Sequence, residues 1–252
     1  MSGITAEKEY EVNYYEVDYK KRVLLTSIMD YFGDICTMQS ERLGVNLDYM
    51  KENNMAWVLF KWDIDVLRYP LYGEKIKVKT IPYSFRKFYA YRTFEVVDSS
   101  GNLVITANSL WFLIDTNKRK PIKIPQEMYK AFGIEFNDDA KLEIRKIKTI
   151  QDFDVKQEFN VRYIDIDTNR HVNNVKYAEW AIETVPMEIV LNYTLNKINI
   201  TYEKETVYGD VVTVCTKVNK QGNEMLCQHK ITNSSEEIVT LAETKWVQSI
   251  FN

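Results

Sequence analysis

The chain has 252 residues, 45% of them apolar and 27% charged, with a formal net charge of −3. A chain of this length buries roughly three quarters of the surface its unfolded form exposes, enough for one large core or two small ones. The balance of charge gives no general attraction to nucleic acid, and no window reaches the roughly 18 uninterrupted apolar residues that a membrane helix needs. The opening Met1-Ser2-Gly3-Ile4-Thr5-Ala6-Glu7-Lys8 lacks the basic start and apolar core of a secretory signal, so a cytoplasmic, membrane-free protein is expected. Cys36, Cys215 and Cys227 show no C-x-x-C spacing. They read as buried reduced thiols rather than as a disulfide framework or a zinc site.

In chain order, the alternation over residues 9–15 predicts a short half-buried strand. Leu24, Ile28, Phe32 and Ile35 then recur at helical spacing, with Gly44 at the stop. Runs rich in Val, Ile, Thr and aromatics over 57–68, 75–84, 90–98 and 104–115 predict four strands, separated by turns such as Leu71-Tyr72-Gly73-Glu74 and Ser99-Ser100-Gly101-Asn102. Residues 126–152 are charged, hold Phe132-Gly133 and Asn137-Asp138-Asp139, and read as a linker with a helical turn or two. The series then repeats. A strand over 158–163 precedes a helical stripe of Val172, Val175, Ala178, Ile182 and Val185 that Pro186 ends. Strands follow over 197–204, 210–220, 224–233 and 237–248.

The repetition extends to individual residues. Glu9-Tyr10-Glu11-Val12-Asn13-Tyr14-Tyr15-Glu16-Val17-Asp18 aligns with Glu158-Phe159-Asn160-Val161-Arg162-Tyr163-Ile164-Asp165-Ile166-Asp167 at a constant offset of 149, and the Tyr-Gly pairs at 72 and 208 match at 136. A strand, a helix and a four-stranded meander, twice over, imply α+β architecture: two antiparallel sheets, each wrapped around a long helix and pairing side by side. The turns are too short for parallel crossovers. The domains expected are 1–125 and 153–252, joined by the linker at 126–152.

Chemistry concentrates in the second copy. Asp167, Asn169 and His171 stand at alternate positions between a strand and a helix, where side chains share a side and first-turn amides can polarise a carbonyl. Asp and Asn are also favoured turn and cap residues, and Asn173 and Asn174 read as caps. The copy at 149 residues earlier has Lys20 and Arg22 in place of Asn169 and His171, so the fold alone does not demand the amide and imidazole. His229, between Gln228 and Lys230, reads as exposed or edge-facing. The two histidines offer no metal cluster, and no cofactor is implied.

The string Asp-x-Asn-x-His-Val-Asn-Asn-x-x-Tyr, from Asp167 to Tyr177, with Ile182-Glu183-Thr184-Val185-Pro186 after it, resembles the acyl-acyl carrier protein thioesterases of plants and bacteria. That resemblance covers essentially the whole chain and implies a tandem (double) hot-dog fold. Ile200-Thr201-Tyr202-Glu203-Lys204-Glu205-Thr206 is similar to the family's strand bearing a catalytic glutamate, which gives that role to Glu205. Plant members commonly have cysteine at the next position, where this chain has Thr206, so a thiol mechanism does not carry over and Thr206 reads as structural.

The resemblance implies hydrolysis of an acyl-carrier-protein thioester by Glu205 and His171, either of them the base, or by Glu205 as nucleophile. Asn169 would hold the carbonyl or water, and Asp167 would orient its neighbours. The acyl chain would lie in an apolar cavity of the first copy, with Ile28, Phe32, Ile35, Met38, Trp57 and Phe60 as candidate lining. An acidic carrier protein bearing phosphopantetheine would dock on basic residues, for which Lys20-Lys21-Arg22, Arg86-Lys87, Lys118-Arg119-Lys120 and Arg145-Lys146 with Lys148 are available. The rivals are an acyl-CoA thioesterase, a hot-dog dehydratase, whose Pro-containing Asp/His loop is missing here, and a non-catalytic acyl-binding sensor. A homodimer of the tandem unit is a further expectation.

Overall fold

The structure, a computed structural model, describes residues 3–136 and 140–249. The turn residues Asn137-Asp138-Asp139 lie outside the described residues. The chain divides into two compact units, Met1–Phe60 with Val66–Ile144, and Lys61–Asp65 with Arg145–Asn252.

The first unit opens with β1 (Ala6–Glu11), a single 3₁₀ turn (Tyr14–Glu16), α1 (Leu25–Arg42) and α2 (Leu47–Glu52). The meander follows as β2 (Met55–Val66), β3 (Lys75–Arg86), β4 (Tyr89–Asp98) and β5 (Leu103–Asp115), then the two-residue β6 (Lys120–Pro121) and α3 (Gln126–Phe132). The strand order is β1-β3-β4-β5-β2. α1 forms because Leu25, Ile28, Met29, Phe32 and Ile35 fall on one face and are buried, while Leu24 is the cap residue outside the helix. Phe32 meets Phe94 of β4 at 4.6 Å between ring centroids, which fixes the helix on the sheet.

The second unit repeats this as β7 (Val155–Asn160), a 3₁₀ turn (Tyr163–Asp165), α4 (Asn174–Glu183), α5 (Met187–Asn192), β8 (Tyr193–Tyr202), β9 (Val211–Gln221), β10 (Glu224–Asn233) and β11 (Ile238–Gln248). Its order is β8-β11-β10-β9-β7, and Lys61–Asp65 of β2 pair antiparallel with the free side of β8. This is the α+β, double hot-dog layout expected.

Three expectations change. The second helix is not long: α4 covers 10 residues, Val172 sits before it in an isolated bridge with Ile166, and Pro186 starts the separate α5. Proline supplies no amide to continue the ladder, so the helical stripe extends past the break without being one helix. Within the stretch expected as a linker at 126–152, α3 buries Met128, Tyr129 and Phe132 beside Phe85 and Leu113. Residues through Ile144 belong to the first unit. His229, expected at an edge or in solvent, is buried against Thr216 and Thr244, because it falls on the face of β10 that also presents Cys227 and Ile231 to the core.

Candidate active site

The loop between β7 and α4 is built by one carboxylate. Asp167 Oδ1 accepts from the amides of Asn169 at 2.8 Å and His171 at 3.3 Å, while Asp167 N–H donates to His171 O at 2.8 Å. This closes a tight turn with Arg170 at φ 67°. Ahead of it, Asp165 Oδ2 accepts from the Arg162 amide at 2.8 Å, and Asp165 O accepts from Asn173 N–H at 2.8 Å. Burial raises the Asp165 carboxyl, but the Arg162 guanidinium overrides it and holds the group below the usual carboxylate range. Asn173 caps α4 through Val175 N–H at 3.0 Å. Among the described residues the Asn174 amide meets no acceptor.

Glu205 arrives from the other side of the site. It was expected on a strand, but β8 ends at Tyr202, because the amides of Glu203 and Lys204 both turn to Val239 O at 2.8 and 3.1 Å. Glu205 therefore stands in the following loop. Thr206 O accepts from Val172 N–H at 2.9 Å, tying this loop to the Asp167–His171 turn. The outcome is a contact of 3.3 Å between His171 Nε2 and Glu205 Oε2, both partly open to solvent. The buried hydroxyls of Tyr177 and of Thr206, the residue after Glu205, lie 2.7 Å apart. Burial pushes the Tyr177 phenol up to about 12, so it keeps its proton at neutral pH. Sequence reading missed Tyr177 as a partner here, although its place in the Asp167–Tyr177 string was the available signal.

The first unit contains the same construction without the chemistry. Asp18 Oδ1 accepts from the amides of Lys20 and Arg22 at 2.8 and 2.9 Å, Lys21 holds φ 60°, and Asp18 N–H donates to Arg22 O at 2.8 Å. Leu24 N–H bonds Glu16 O at 2.8 Å, and Val23 N–H bonds Pro70 O at 2.9 Å. Even the strand end recurs, with Leu67 and Arg68 amides sharing Val104 O. Where the second unit has His171 against Glu205, the first has the Arg22 guanidinium 5.6 Å from the Tyr69 ring and paired with Asp18 at 2.8 Å.

Asp167 thus serves the loop backbone, Asn169 is exposed with its amide 3.5 Å from Asp167 Oδ2, and His171 and Glu205 come together. Such a pair can take a proton from water beside a polarised carbonyl, or present a carboxylate to it. No group of three or more His, Cys, Asp or Glu that could hold a metal ion occurs among the described residues.

Of the six residues expected to line an acyl cavity, Trp57 does so. It borders a cleft of about 420 Å³, open part included, with Cys36 and Ser40 of α1, Phe85 of β3, Arg92 of β4, Trp111 of β5 and Phe132 of α3 among its other walls. Ile28, Phe32 and Ile35 are fully buried helix–sheet core, Met38 is half-buried, and Phe60 packs edge-on against Phe112. The basic clusters mark turns: Lys21, Lys87 and Arg119 each hold a positive φ, Lys118 pairs with Asp115, and Arg145 pairs with Glu243.

Comparison with known proteins places these features in a family. The profile described as the acyl-ACP thioesterase N-terminal domain matches residues 3–132, and that of the C-terminal domain matches residues 148–248. An acyl-[acyl-carrier-protein] hydrolase of Cuphea viscosissima, described as chloroplastic, is 27% identical over 98% of the chain. The chain spans 63% of that hydrolase's length. A Lactobacillus plantarum structure assigned as an oleoyl thioesterase superposes with a TM-score of 0.91 at 25% identity, covering 98% of this chain and 97% of that one. The 12:0-ACP thioesterase of Umbellularia californica gives a TM-score of 0.87 at 24% identity over 97% and 94% of the two chains, a likeness of fold. The chain belongs to the acyl-ACP thioesterase family.

Proposed function

We propose that the chain hydrolyses the thioester of fatty acyl-[acyl carrier protein], releasing free fatty acid and the carrier thiol. The observation that carries this reading is the 3.3 Å contact of His171 Nε2 with Glu205 Oε2, at a site whose twin in the first unit has Arg22 and Tyr69 instead. A thiolate is a good leaving group, so the site's tasks are to activate water and steady the oxyanion. In the step proposed, water attacks the acyl carbon, its proton passes to the His171–Glu205 pair, and the C–S bond breaks on collapse of the tetrahedral intermediate. The departing sulfur takes back the proton. In this reading Asn169 and the Asn174 amide would donate to the carbonyl oxygen, and Asp167, which accepts from the His171 amide, is a positioning residue. The acyl chain requires an apolar cavity, for which the cleft beside Trp57 in the first unit is the candidate. An acidic carrier protein is the partner whose charge suits the basic turns.

The test is release of free acid from matched carrier-protein and CoA thioesters. His171→Ala and Glu205→Ala are each expected to lose about 10²–10⁴-fold in kcat/KM, the range for removing a general acid–base group. Glu203→Ala, whose side chain lies beyond the end of β8, should stay within a few-fold of the parent. Parent-like rates in both His171→Ala and Glu205→Ala would overturn the assignment, and a tenfold preference for CoA would change the substrate.

A further inference from the structure

The cleft of the first unit is mostly apolar, and Arg92 is the one charged residue among its walls. Phe85, Trp57, Trp111 and Phe132 make aromatic walls, and Arg92 projects between them from the inward face of β4, the face that also buries Phe94 and Val96. Arg92 Nη1 donates to Gln39 Oε1 at 2.6 Å and Thr80 Oγ1 at 2.9 Å, and the guanidinium carbon lies 5.6 Å from the Phe132 ring centroid. Gln39 is 2% exposed and Thr80 0%, and Gln39 is itself fixed by donating to Ile4 O. The cation is therefore held rigidly by one nitrogen. Its Nε and Nη2 edge meets no acceptor, and no carboxylate pairs with Arg92 among the described residues.

A half-buried cation in apolar surroundings without a counter-charge is costly unless something supplies one. The fold does not require it. Arg92 lies opposite Ser109 on β5, which accepts from Trp111 Nε1 at 2.7 Å, and in the second unit the strand position opposite Thr244, which accepts from Trp246 Nε1 at 3.0 Å, is Cys227. The same sheet site thus accepts a small neutral side chain.

We propose that this cleft binds a long-chain carboxylate, its alkyl tail among the aromatic walls and its head group on the Nε/Nη2 fork of Arg92. That fork matches the two oxygens of a carboxylate, and the aromatic walls beside it suit an alkyl tail. A hydrocarbon terminus gains nothing from a half-buried guanidinium, so the ligand class is the free acid rather than an ester or alcohol of the same length. The inference rests on the proposed hydrolysis only for the source of the ligand, because that reaction releases acids of this class. Occupancy of the cleft by free acid would then make product a competitor for the acyl chain.

The experiment titrates the intact chain with a twelve-carbon fatty acid below its micellar concentration, and with the matched alcohol and methyl ester, reading the fluorescence of Trp57 and Trp111 and the heat of binding. The acid should bind at least tenfold more tightly than either neutral analogue. Arg92→Gln should erase that preference while leaving alcohol binding within a few-fold, and Arg92→Lys, which keeps the charge but loses the fork, should retain part of it. Equal binding of acid and alcohol by the parent, no saturable binding, or a preference that survives Arg92→Gln overturns the proposal. If Arg92→Gln does not fold by circular dichroism, the parent's acid-to-alcohol ratio and the Arg92→Lys protein decide. Binding is measured without turnover, so a parent protein that hydrolyses acyl thioesters but shows no preference for the acid sinks this inference alone. Binding without hydrolysis sinks the enzymatic reading alone.

Discussion

Asp167 and Asp18 do one task at two places, each accepting the amides two and four residues ahead. Charged acceptors of backbone amides contribute on the order of 1–3 kcal/mol. Asp18→Ala should lower stability by about 1–2 kcal/mol in denaturant titration while kcat is unchanged. Asp167→Ala should lower stability similarly and kcat as well, because its turn carries His171. A drop in kcat from Asp18→Ala equal to that from Asp167→Ala would contradict this division. What distinguishes the second unit behind the His171–Glu205 contact is the buried Tyr177–Thr206 pair, since Pro70 stands where Thr206 would be and has no hydroxyl. Because Thr206 adjoins Glu205 in the chain, we expect this pair to act by positioning Glu205. Thr206→Val and Tyr177→Phe should each reduce kcat several-fold to tenfold, the size of one hydrogen bond, with KM unchanged, and Thr206→Ser should restore it. Loss confined to KM, or no recovery with serine, would count against the role. Asn169 and His171 stood out in the sequence because the repeat supplied its own comparison, whereas Glu205 was singled out only by resemblance to the family. Tyr177 was not, because a tyrosine in a helical apolar stripe reads as core until its hydroxyl has a partner.

Strands and turns were the most legible elements, for a physical reason: burial alternates from Lys75 to Ser84 of β3 and from Leu226 to Thr232 of β10, although β4 and β9 break the pattern, and Gly73 and Gly209 hold φ of 76° and 87° at the Tyr-Gly turns. The helices were less so. Val172, Val175, Ala178, Ile182 and Val185 keep an apolar stripe across three different backbone states, because burial and not helicity sets the pattern there. The helical turn or two expected in the charged stretch is α3, of 7 residues, but its packing into the first unit was not legible, although the Phe132-Gly133 pair marked its end. Gly133 closes α3 at φ 67°, and a Cβ there would lie 2.9 Å from Ile4 Cγ1. Both the left-handed backbone and the close approach require glycine. Gly133→Ala should destabilise the first unit by about 1–3 kcal/mol, read as a lowered denaturation midpoint, with the second unit's transition unmoved. A neutral result would show that Ile4 yields and that the left-handed cost is negligible.

The duplication also shows where the two units store different polar groups, and this sets how the protein responds to acid. Thr184 Oγ1 donates to Ala181 O at 2.8 Å, so at 2.5 Å from Thr216 it must accept from the Thr216 hydroxyl. Thr216 Oγ1 then accepts from His229 Nδ1–H at 2.8 Å, and Nε2 accepts from Thr244, whose oxygen takes the Trp246 indole N–H. Every site is satisfied with a neutral ring and Nδ1 protonated, and a proton on Nε2 would face a hydroxyl already committed to donate. Burial depresses His229 from its ordinary 6.5 to about 3. Between those values the unfolded chain binds a proton at His229 that the folded chain does not, so stability falls as pH falls through that window and is level above it. One proton corresponds to about 2 kcal/mol lost between pH 7 and pH 5. The depressed carboxyls Asp34, Glu74 and Asp165 add their own loss only as pH approaches the ordinary carboxylate values from above, so the upper part of the slope belongs to His229. Denaturant unfolding of the parent and of His229→Gln at pH 7, 6 and 5 should show the second unit's slope present in the first protein and flattened in the second. A slope that persists undiminished in His229→Gln would mean that the titrating group lies elsewhere.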